Sequence, residues 1–395
     1  MRIGKAIYLD YQATAPLDSR VMEKMKPYFA ESIGNPHSVD HFLGWQASRA
    51  VEEAAAEIGE LIGAESDEII FTSGATESNN LALLGLGGRA AGGKRRRVLV
   101  SAIEHKCVLA AGRVLHDRLG YQVELLPVDR EGRVNISSLK ESVKEDVLLV
   151  SIMAVNNEIG TIQKIKELSD VIRESGALFH CDAAQAPCAM DLSAIAEHVD
   201  LLSLSGHKMH GPMGIGALFI RRDLQDRVEP LIYGGGQQHD LRSGTVPVAL
   251  CAGMAAAASL LQLDEANNER LLMGGLRDRF VRDLTALPWP VALNGPGGEK
   301  RHPGNTNIRF EGFDAQDVLN ALQPHLAAST GSACASGFPE PSHVLKSIGL
   351  STTQAEESIR FSLGRGTTET DIDDALALID GTLSRLSHAD LVRSA

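Results

Sequence analysis

The stretch Leu201-Leu202-Ser203-Leu204-Ser205-Gly206-His207-Lys208-Met209-His210-Gly211-Pro212 starts as an apolar run and continues as a short polar segment that contains a lysine. Residues 201–204 predict a buried strand, and Lys208 follows its end. Ligands of open α/β sheets bind at the carboxyl ends of the strands. Among hydroxyl, imidazole and glycine residues, a lysine with a lowered pKa can form a Schiff base with pyridoxal phosphate. Most lysines are solvated surface charges, so this hypothesis needs support from the rest of the chain.

Apolar runs alternate with stretches of helical period along the chain. The runs typical of strands lie at 98–101, 147–153, 178–181 and 201–204, and the helical stretches include 51–62 and 165–175. Strands that alternate with helices predict an α/β fold with a mainly parallel sheet. From Asp264 onwards, a charged helix is followed by further strand and helix segments, which predict a smaller α+β domain.

The composition is that of an ordinary globular protein. The 395 residues are 44% hydrophobic and 23% charged, and the formal net charge is −13. Such a negative charge argues against direct nucleic-acid binding and against binding to an anionic membrane surface.

Residues 1–11 lack the apolar run of a secretory signal, which predicts a cytoplasmic protein. The uncharged stretch 244–263 contains Pro247 and is rich in alanine, so we expect a buried helix and not a membrane span.

The five cysteines indicate reduced thiols and not a disulfide framework, because their number is odd and their spacing is wide. Cys334 lies in the run Ser-Thr-Gly-Ser-Ala-Cys-Ala-Ser-Gly-Phe at 329–338, which lacks the apolar neighbours of a core cysteine. A reactive thiol is at least as consistent with this position as a buried one. Its thiolate would be the nucleophile.

Several polar residues follow other predicted strands. Residues 71–80 form a strand end, a glycine turn and a hydroxyl-rich helix start, which can bind phosphate or be an ordinary N-cap. Asp182 could keep a pyridine nitrogen protonated, or it could cap a turn. Gln185 could face the same ligand. His105 could stack on a cofactor or move a proton, although a lone histidine is more often structural.

Arg360 is a candidate receptor for a carboxylate. It alternates with apolar residues in Ser-Ile-Arg-Phe-Ser at 358–362, as in a strand, and a guanidinium can hold a carboxylate through two hydrogen bonds.

The cysteine and histidine spacings complete neither a Cys-x-x-Cys pair nor a His-Glu-x-x-His motif, so we do not expect a metal site. A Gly-x-Gly-x-x-Gly motif is also lacking, and a nicotinamide site is therefore not expected.

Together these segments resemble the NifS/IscS-like cysteine desulfurases, which are pyridoxal phosphate enzymes of fold type I in the class V aminotransferase group. The segments that carry the resemblance cover nearly the whole chain in the family's order: 8–11, 34–36, 72–79, 104–106, 155–160, 205–212, 242–245, 331–334 and 359–365. The resemblance implies a large domain over 15–262, with a mainly parallel mixed sheet flanked by helices. It implies a small α+β domain of 1–14 and 263–395 that carries a catalytic cysteine loop at about 329–342.

The resemblance also implies which residues bind the cofactor. Lys208 would hold it covalently, and His105 would stack on its ring and handle protons. Asp182 would pair with the pyridinium nitrogen, and Gln185 with the phenolic oxygen. The remaining contacts would come from Ala75, Thr76, Asn157, Ser205, His207 and Thr245. Thr245 would belong to a neighbouring subunit, which implies a homodimer with shared sites.

The implied reaction converts L-cysteine to L-alanine. Asn157 and Arg360 would receive the substrate carboxylate, and Cys334 would take the sulfur as a persulfide. The sulfur would then pass to an acceptor protein in iron-sulfur cluster assembly, tRNA thiolation or DNA phosphorothioation. The nine residues 334–342 match the long-loop group of the family. Ala154 and the tail after Ser387 depart from its housekeeping members, which leaves the acceptor open.

Two rival hypotheses remain at this point. A selenocysteine lyase, or another class V lyase, would use the same cofactor pocket. A catalytically idle scaffold would only dock sulfur-carrier proteins, and it would lack the yellow colour of a lysine-bound cofactor.

Overall fold

The structure is a computed structural model that describes residues 1–331 and 341–394. Cys334 lies outside the described residues, and so does most of the predicted cysteine loop. The described strands are β1 (Arg2–Ile3), β2 (Ala6–Tyr8), β3 (Ile69–Thr72), β4 (Arg97–Ser101), β5 (Gln122–Leu126), β6 (Val147–Ser151), β7 (Leu178–Asp182), β8 (Leu201–Ser205), β9 (Gly216–Ile220), β10 (Val291–Leu293), β11 (Asn305–Phe310), β12 (Leu326–Ala327) and β13 (Ser358–Ser362).

The helices differ widely in length. They are α1 (Ser19–Met25), α2 (Pro27–Ala30), α3 (Phe42–Ile62), α4 (Ala75–Asn80), α5 (Leu86–Arg89), α6 (Lys106–Leu119), α7 (Ile136–Ser142), α8 (Ile165–Glu174), α9 (Val248–Leu261), α10 (Asp264–Thr285), α11 (Ala315–Leu322), α12 (His343–Ser347), α13 (Thr352–Glu356) and α14 (Glu369–Ser394). A π-helical segment, Leu81–Gly85, joins α4 to α5. Short 3-10 turns include Gly206–Lys208, directly after β8.

The largest sheet of the described residues is a seven-stranded mixed sheet. Its strand order is β3-β9-β8-β7-β6-β4-β5. Neighbouring strands from β8 to β5 pair in parallel, whereas β9 is antiparallel to both β8 and β3. The predicted mainly parallel sheet is therefore confirmed, with β9 as its one reversed strand.

Both faces of this sheet are buried, which explains why its strands are apolar runs and do not alternate with polar residues. One apolar cluster packs α3, α8 and α9 against one face through residues such as Phe179 and Val150. A second cluster packs α6, the π-helical segment Leu81–Gly85 and α5 against the other face, through residues such as Leu149 and Leu201. The sheet is thus a middle layer between helices.

The C-terminal part of the chain has its own apolar cluster. Antiparallel β10, β11 and β13 pack against α10, α11 and α14, with Phe280, Phe310 and Phe361 in edge-to-face contact. Ile7 and Leu9 from the chain start join this cluster. A small sheet β1-β2-β12 brings that start beside residues 326–327.

The structure gives the bounds of two predicted helices. The helix predicted at 51–62 begins earlier, at Phe42, where the Nδ1 atom of His41 accepts a hydrogen bond from the Gly44 N–H at 3.2 Å. The uncharged stretch 244–263 contains the mostly buried helix α9. Within the described part of the chain, no single helix is long and apolar enough to cross a membrane, and α9 with α10 passes that test only as a pair bent by 74°.

Candidate active site

A cavity of about 610 Å³ lies at the carboxyl end of the large sheet. Because parallel strands end at the same edge, the residues that follow β4, β6, β7 and β8 converge there. The predicted site residues that line it are Ala75, Thr76, His105, Asn157, Asp182, Gln185, Ser205, His207, Lys208 and Arg360. Residues that are far apart in sequence thus meet around one space.

Lys208 is half-buried in the turn after β8. Its Nζ atom donates hydrogen bonds to the backbone oxygens of Ala13, at 2.7 Å, and of Gln12. Burial lowers the pKa of Lys208 from 10.5 to about 8, and the positive charge of Arg360 adds to this effect, whereas Asp10 and Asp182 oppose it. A substantial fraction of the amine is therefore neutral near physiological pH, as a nucleophile requires.

Asp182 is the last residue of β7 and is buried. Its Oδ2 atom accepts a hydrogen bond from Asn79 Nδ2 at 2.7 Å, and Oδ1 accepts one from the Ala184 N–H at 3.0 Å. These two donors fix the orientation of the carboxylate at the cavity wall. Gln185, also buried, donates from Nε2 to the backbone oxygen of Gln12 at 2.9 Å.

The start of α4 lies beside the cavity, and the backbone N–H groups of a first helical turn have no partner within the helix. Gly74 precedes this helix with φ of 148°, a conformation that only glycine adopts readily, and residues 73–76 line the cavity. A Cβ atom on Gly216 would come within 2.6 Å of Gly74 Cα, so these two glycines allow the close approach of β9 and the turn. N–H groups at such a helix start can bind phosphate oxygens.

Ser205 and His207 also line the cavity. The Nδ1 atom of His207 lies 3.2 Å from Thr14 Oγ1. Burial lowers the pKa of His207 to about 4, and the neighbouring Lys208 adds to this effect. His207 is therefore neutral at physiological pH and can offer a hydrogen bond without a charge.

His105 caps the start of α6. Its Nδ1 atom accepts a hydrogen bond from the Cys107 N–H at 3.2 Å and lies 3.0 Å from Cys107 Sγ. The neutral ring therefore carries its proton on Nε2. The His105 ring is exposed on the side of the cavity. Protein atoms lie around the rest of it, and this burial lowers the pKa of His105. The negative charge of Asp182 opposes this effect, and the positive charge of Lys208 adds to it. An exposed, neutral imidazole inside a cavity can stack on a flat ligand.

Arg360 lies in the middle of β13, and its side chain is buried. Its Nη1 atom donates to the backbone oxygen of Asn157 at 2.8 Å. Its Nη2 atom donates to Asp10 Oδ1 at 2.6 Å and to Ser329 Oγ at 2.9 Å. Arg360 thus brings a positive charge to the cavity wall next to Asn157.

These side chains fit pyridoxal phosphate. Lys208 supplies an amine of lowered pKa, Asp182 a fixed carboxylate for a pyridinium nitrogen, and His105 an exposed ring face. The α4 start supplies backbone donors for a phosphate group. Such a set of donors suits an aromatic aldehyde that carries a phosphate.

The structure does not bring every predicted residue to this cavity. Thr245 is exposed and lies outside the cavity lining formed by the described residues of its own chain. Cys334 lies outside the described residues, so its predicted role stays a prediction. Gly331 and Ser329, which precede it, do line the cavity.

Among the cavity residues that were not singled out from the sequence are Asp10, Asn79, Glu158 and His343. Asp10 pairs with Arg360, and Asn79 holds Asp182. Asp10 and Asn79 both lie inside segments that carried the family resemblance, as does Glu158, and this was the available signal. Spacing alone could not reveal these contacts, because each one crosses between distant segments.

The fold and the cavity define a pyridoxal phosphate-dependent enzyme. The family model described as aminotransferase class-V matches residues 7–375. "Cysteine desulfurase IscS" of Rickettsia bellii is 46% identical over 380 residues, which cover 96% of this chain and 92% of that protein.

Solved structures agree with this relationship. A "NifS-like protein" has a TM-score of 0.89 and 34% identity, covering 97% of this chain and 100% of that one. "SspA in complex with cysteine" has a TM-score of 0.79 and 34% identity, covering 91% and 99%. The chain belongs to the aminotransferase class-V family, as a pyridoxal phosphate-dependent cysteine desulfurase. The predicted family, fold class and cofactor are confirmed.

Proposed function

We propose that this chain takes L-cysteine as its substrate, releases L-alanine and keeps the sulfur as a persulfide on Cys334. The observation that carries the proposal is the environment of Lys208, whose pKa is lowered to about 8 in a cavity shared with Asp182, His105 and Arg360. The solved relative in complex with cysteine supports this choice of substrate.

In this proposal the cavity residues divide the binding of the cofactor. Lys208 would hold it covalently and Asp182 would pair with its ring nitrogen, with Gln185 as the partner of the phenolic oxygen and His105 as the residue that stacks on the ring. The candidate donors to its phosphate are Ala75, Thr76, Ser205 and His207, at or near the α4 start. Asn157 would contact both the cofactor and the substrate. When bound, pyridoxal phosphate supplies an electron sink for the bonds at the substrate α-carbon.

Lys208 and His105 are the proposed proton carriers. A free Lys208 amine would be the group that takes the substrate α-proton. Its lowered pKa lets it accept and return a proton near neutral pH. His105, neutral at this pH, can accept a proton at Nδ1 only if it gives up its bond from Cys107.

Sulfur transfer completes the proposed reaction. The Cys334 thiolate attacks the substrate sulfur, so an S–S bond forms while the substrate C–S bond breaks. The electron pair of that bond stays with the three-carbon fragment, which takes up a proton and leaves as alanine. Arg360 and Asn157 hold the carboxylate during this step, which keeps the substrate in one orientation.

We further propose a homodimer with shared sites, in which Thr245 reaches the phosphate of the neighbouring subunit. Six large apolar side chains between positions 22 and 45 are exposed in the single chain, which supports a buried partner surface there: Met22, Phe29, Ile33, Val39, Phe42 and Trp45. We also propose that a sulfur-acceptor protein takes the persulfide sulfur from Cys334 and that this enzyme is cytoplasmic. The free thiols among the described cysteines are compatible with that compartment.

The test is a Lys208→Ala variant, with purified protein incubated with L-cysteine while alanine is measured. We expect loss of the covalent chromophore and a fall in turnover of at least about 10²-fold, as for removal of a general base. Lys106→Ala, which changes an exposed lysine at the same cavity, should keep the chromophore. A Lys208→Ala protein with unchanged colour and turnover would refute the assignment.

A further inference from the structure

The guanidinium of Arg360 already has a carboxylate partner within the chain. Asp10 Oδ1 accepts from Nη2 at 2.6 Å, and the side chains of Arg360 and Asp10 are 4% and 18% exposed. Ser329 Oγ accepts from the same nitrogen at 2.9 Å and lies 3.2 Å from Asp10 Oδ1. The pair is therefore largely withdrawn from water. An ionic interaction is stronger in such a site than in water, because the local dielectric constant is lower.

A count of N–H groups shows what a second carboxylate would meet. Nη2 has two hydrogens, and Asp10 and Ser329 use both. Nη1 has one hydrogen committed to the Asn157 oxygen. Nε is buried and has no hydrogen-bond partner among the described residues. A guanidinium can hold a carboxylate at two points through Nη1 with Nη2 or through Nε with Nη2, and either way uses an Nη2 hydrogen.

We propose that Asp10 is a specificity-determining residue that occupies Arg360 in the absence of substrate, and that the substrate carboxylate must take its place at Nη2. This inference rests on the proposed role of Arg360 as the carboxylate receptor. If the ligand replaced the neutral Ser329, Arg360 would face two carboxylates, that of Asp10 and that of the ligand. If the ligand replaces Asp10, Arg360 keeps one carboxylate partner, because Asp10 and the ligand carry the same charge.

The exchange makes recognition depend on charge. While Asp10 is in place, the buried guanidinium is compensated, and a ligand without a carboxylate gains nothing by displacing it. A ligand with a carboxylate restores the same charge-assisted bonds and can therefore replace Asp10. The internal pair thus lowers the affinity for all carboxylates while it excludes thiols that lack one.

The experiment measures the binding of propionate to the holoenzyme by calorimetry. Propionate has the carboxylate of the substrate but no amine, so it cannot replace Lys208 on the cofactor. In Asp10→Asn the competing charge is gone, and we expect propionate to bind about five- to tenfold more tightly, with a lower KM for L-cysteine. Unchanged or weaker binding of propionate to Asp10→Asn would overturn the proposal.

Asp18→Asn is the matched control. Asp18 also pairs with an arginine, Arg365, at 2.5 Å, but it lies outside the lining of this cavity formed by the described residues. Its substitution should leave propionate affinity within about twofold of the unaltered protein. A gain equal to that of Asp10→Asn would show a general charge effect and would also overturn the proposal.

Two further measurements separate the possible failures. If Arg360→Gln binds propionate as well as the unaltered protein does, the receptor assignment itself fails. If it loses propionate while Asp10→Asn shows no gain, only the role of Asp10 fails. Should Asp10→Asn not fold, a crystal structure of the unaltered holoenzyme with propionate decides. Propionate on Nη2 in place of Asp10 supports the exchange, and retention of both the Asp10 and Ser329 bonds contradicts it.

Discussion

Lys208 shows how a single side chain depends on its surroundings. Burial is the main cause of its lowered pKa, and Arg360 adds a second positive charge nearby. Neither cause is readable from the tetrapeptide Ser-Gly-His-Lys, because both arise from segments that fold around it. The sequence motif therefore singles out Lys208 as a candidate, and the folded surroundings lower its pKa.

The lowered pKa predicts how the apoprotein captures its cofactor. The neutral amine reacts, and its fraction grows as pH rises through about 8. The rate of chromophore formation should increase roughly tenfold between pH 7 and pH 9 and then level off. Stopped-flow absorbance with pyridoxal phosphate measures this. A rate that kept rising in proportion to hydroxide from pH 7 to about pH 10 would mean that Lys208 keeps the ordinary lysine pKa of 10.5.

At the scale of elements, β9 fixes the shape of the cavity beside the α4 start. Gly216 pairs with Thr72 of β3 on one side and with Ser205 of β8 on the other. A Cβ at this position would come within 2.6 Å of both Gly74 Cα and Leu204 O, which are backbone atoms and cannot turn away. The packing of β9 therefore determines where the α4 start lies.

Gly216→Ala should consequently weaken cofactor binding. We expect the free energy of unfolding to fall by about 1–3 kcal/mol and the dissociation constant for pyridoxal phosphate to rise, because the turn at Gly74 must shift. Gly275→Ala is the control, since a Cβ there meets nothing within 4 Å on helix α10 and improves helix propensity. Equal stability and cofactor affinity in the two variants would show that the Gly216 contact is unimportant.

The alternation of apolar and helical segments predicted the sheet well, because buried parallel strands are continuous apolar runs. The predicted strands at 98–101, 178–181 and 201–204 lie within one residue of β4, β7 and β8. The reversed direction of β9 was not predicted, since strand direction depends on which neighbours pair. Contacts such as Asn79 with Asp182 were also missed, because they join segments that only the fold brings together.

At the scale of the whole molecule, we propose the domain division stated from the sequence, with 15–262 as the large domain and 1–14 with 263–395 as the small one. The separate apolar cluster of the C-terminal part, which includes Ile7 and Leu9, supports it. The cavity receives Asp182 and Lys208 from the first unit, and Asp10 and Arg360 from the second. Binding of the substrate would then depend on both units.

Shared sites in a dimer can be tested with hybrid proteins. A Lys208→Ala subunit and a Thr245→Glu subunit should each be inactive alone, the second because its carboxylate repels the phosphate. Co-expressed, they should form one intact site, with Lys208 from one subunit and Thr245 from the other. We expect up to about half of the normal activity per hybrid dimer. Hybrid dimers without activity would place Thr245 in the site of its own chain, and a Thr245→Glu protein that is active alone would place it in neither site.

The persulfide on Cys334 is the central claim, and mass spectrometry of the protein after a single turnover with sulfur-labelled L-cysteine tests it most directly. The account predicts one labelled sulfur atom on the peptide that contains Cys334 for each alanine released, removable by a thiol reductant. In Cys334→Ser this label should be absent, with Cys107→Ser as the control that retains it. Full alanine formation without label on Cys334, or with the label on another cysteine, would contradict the account.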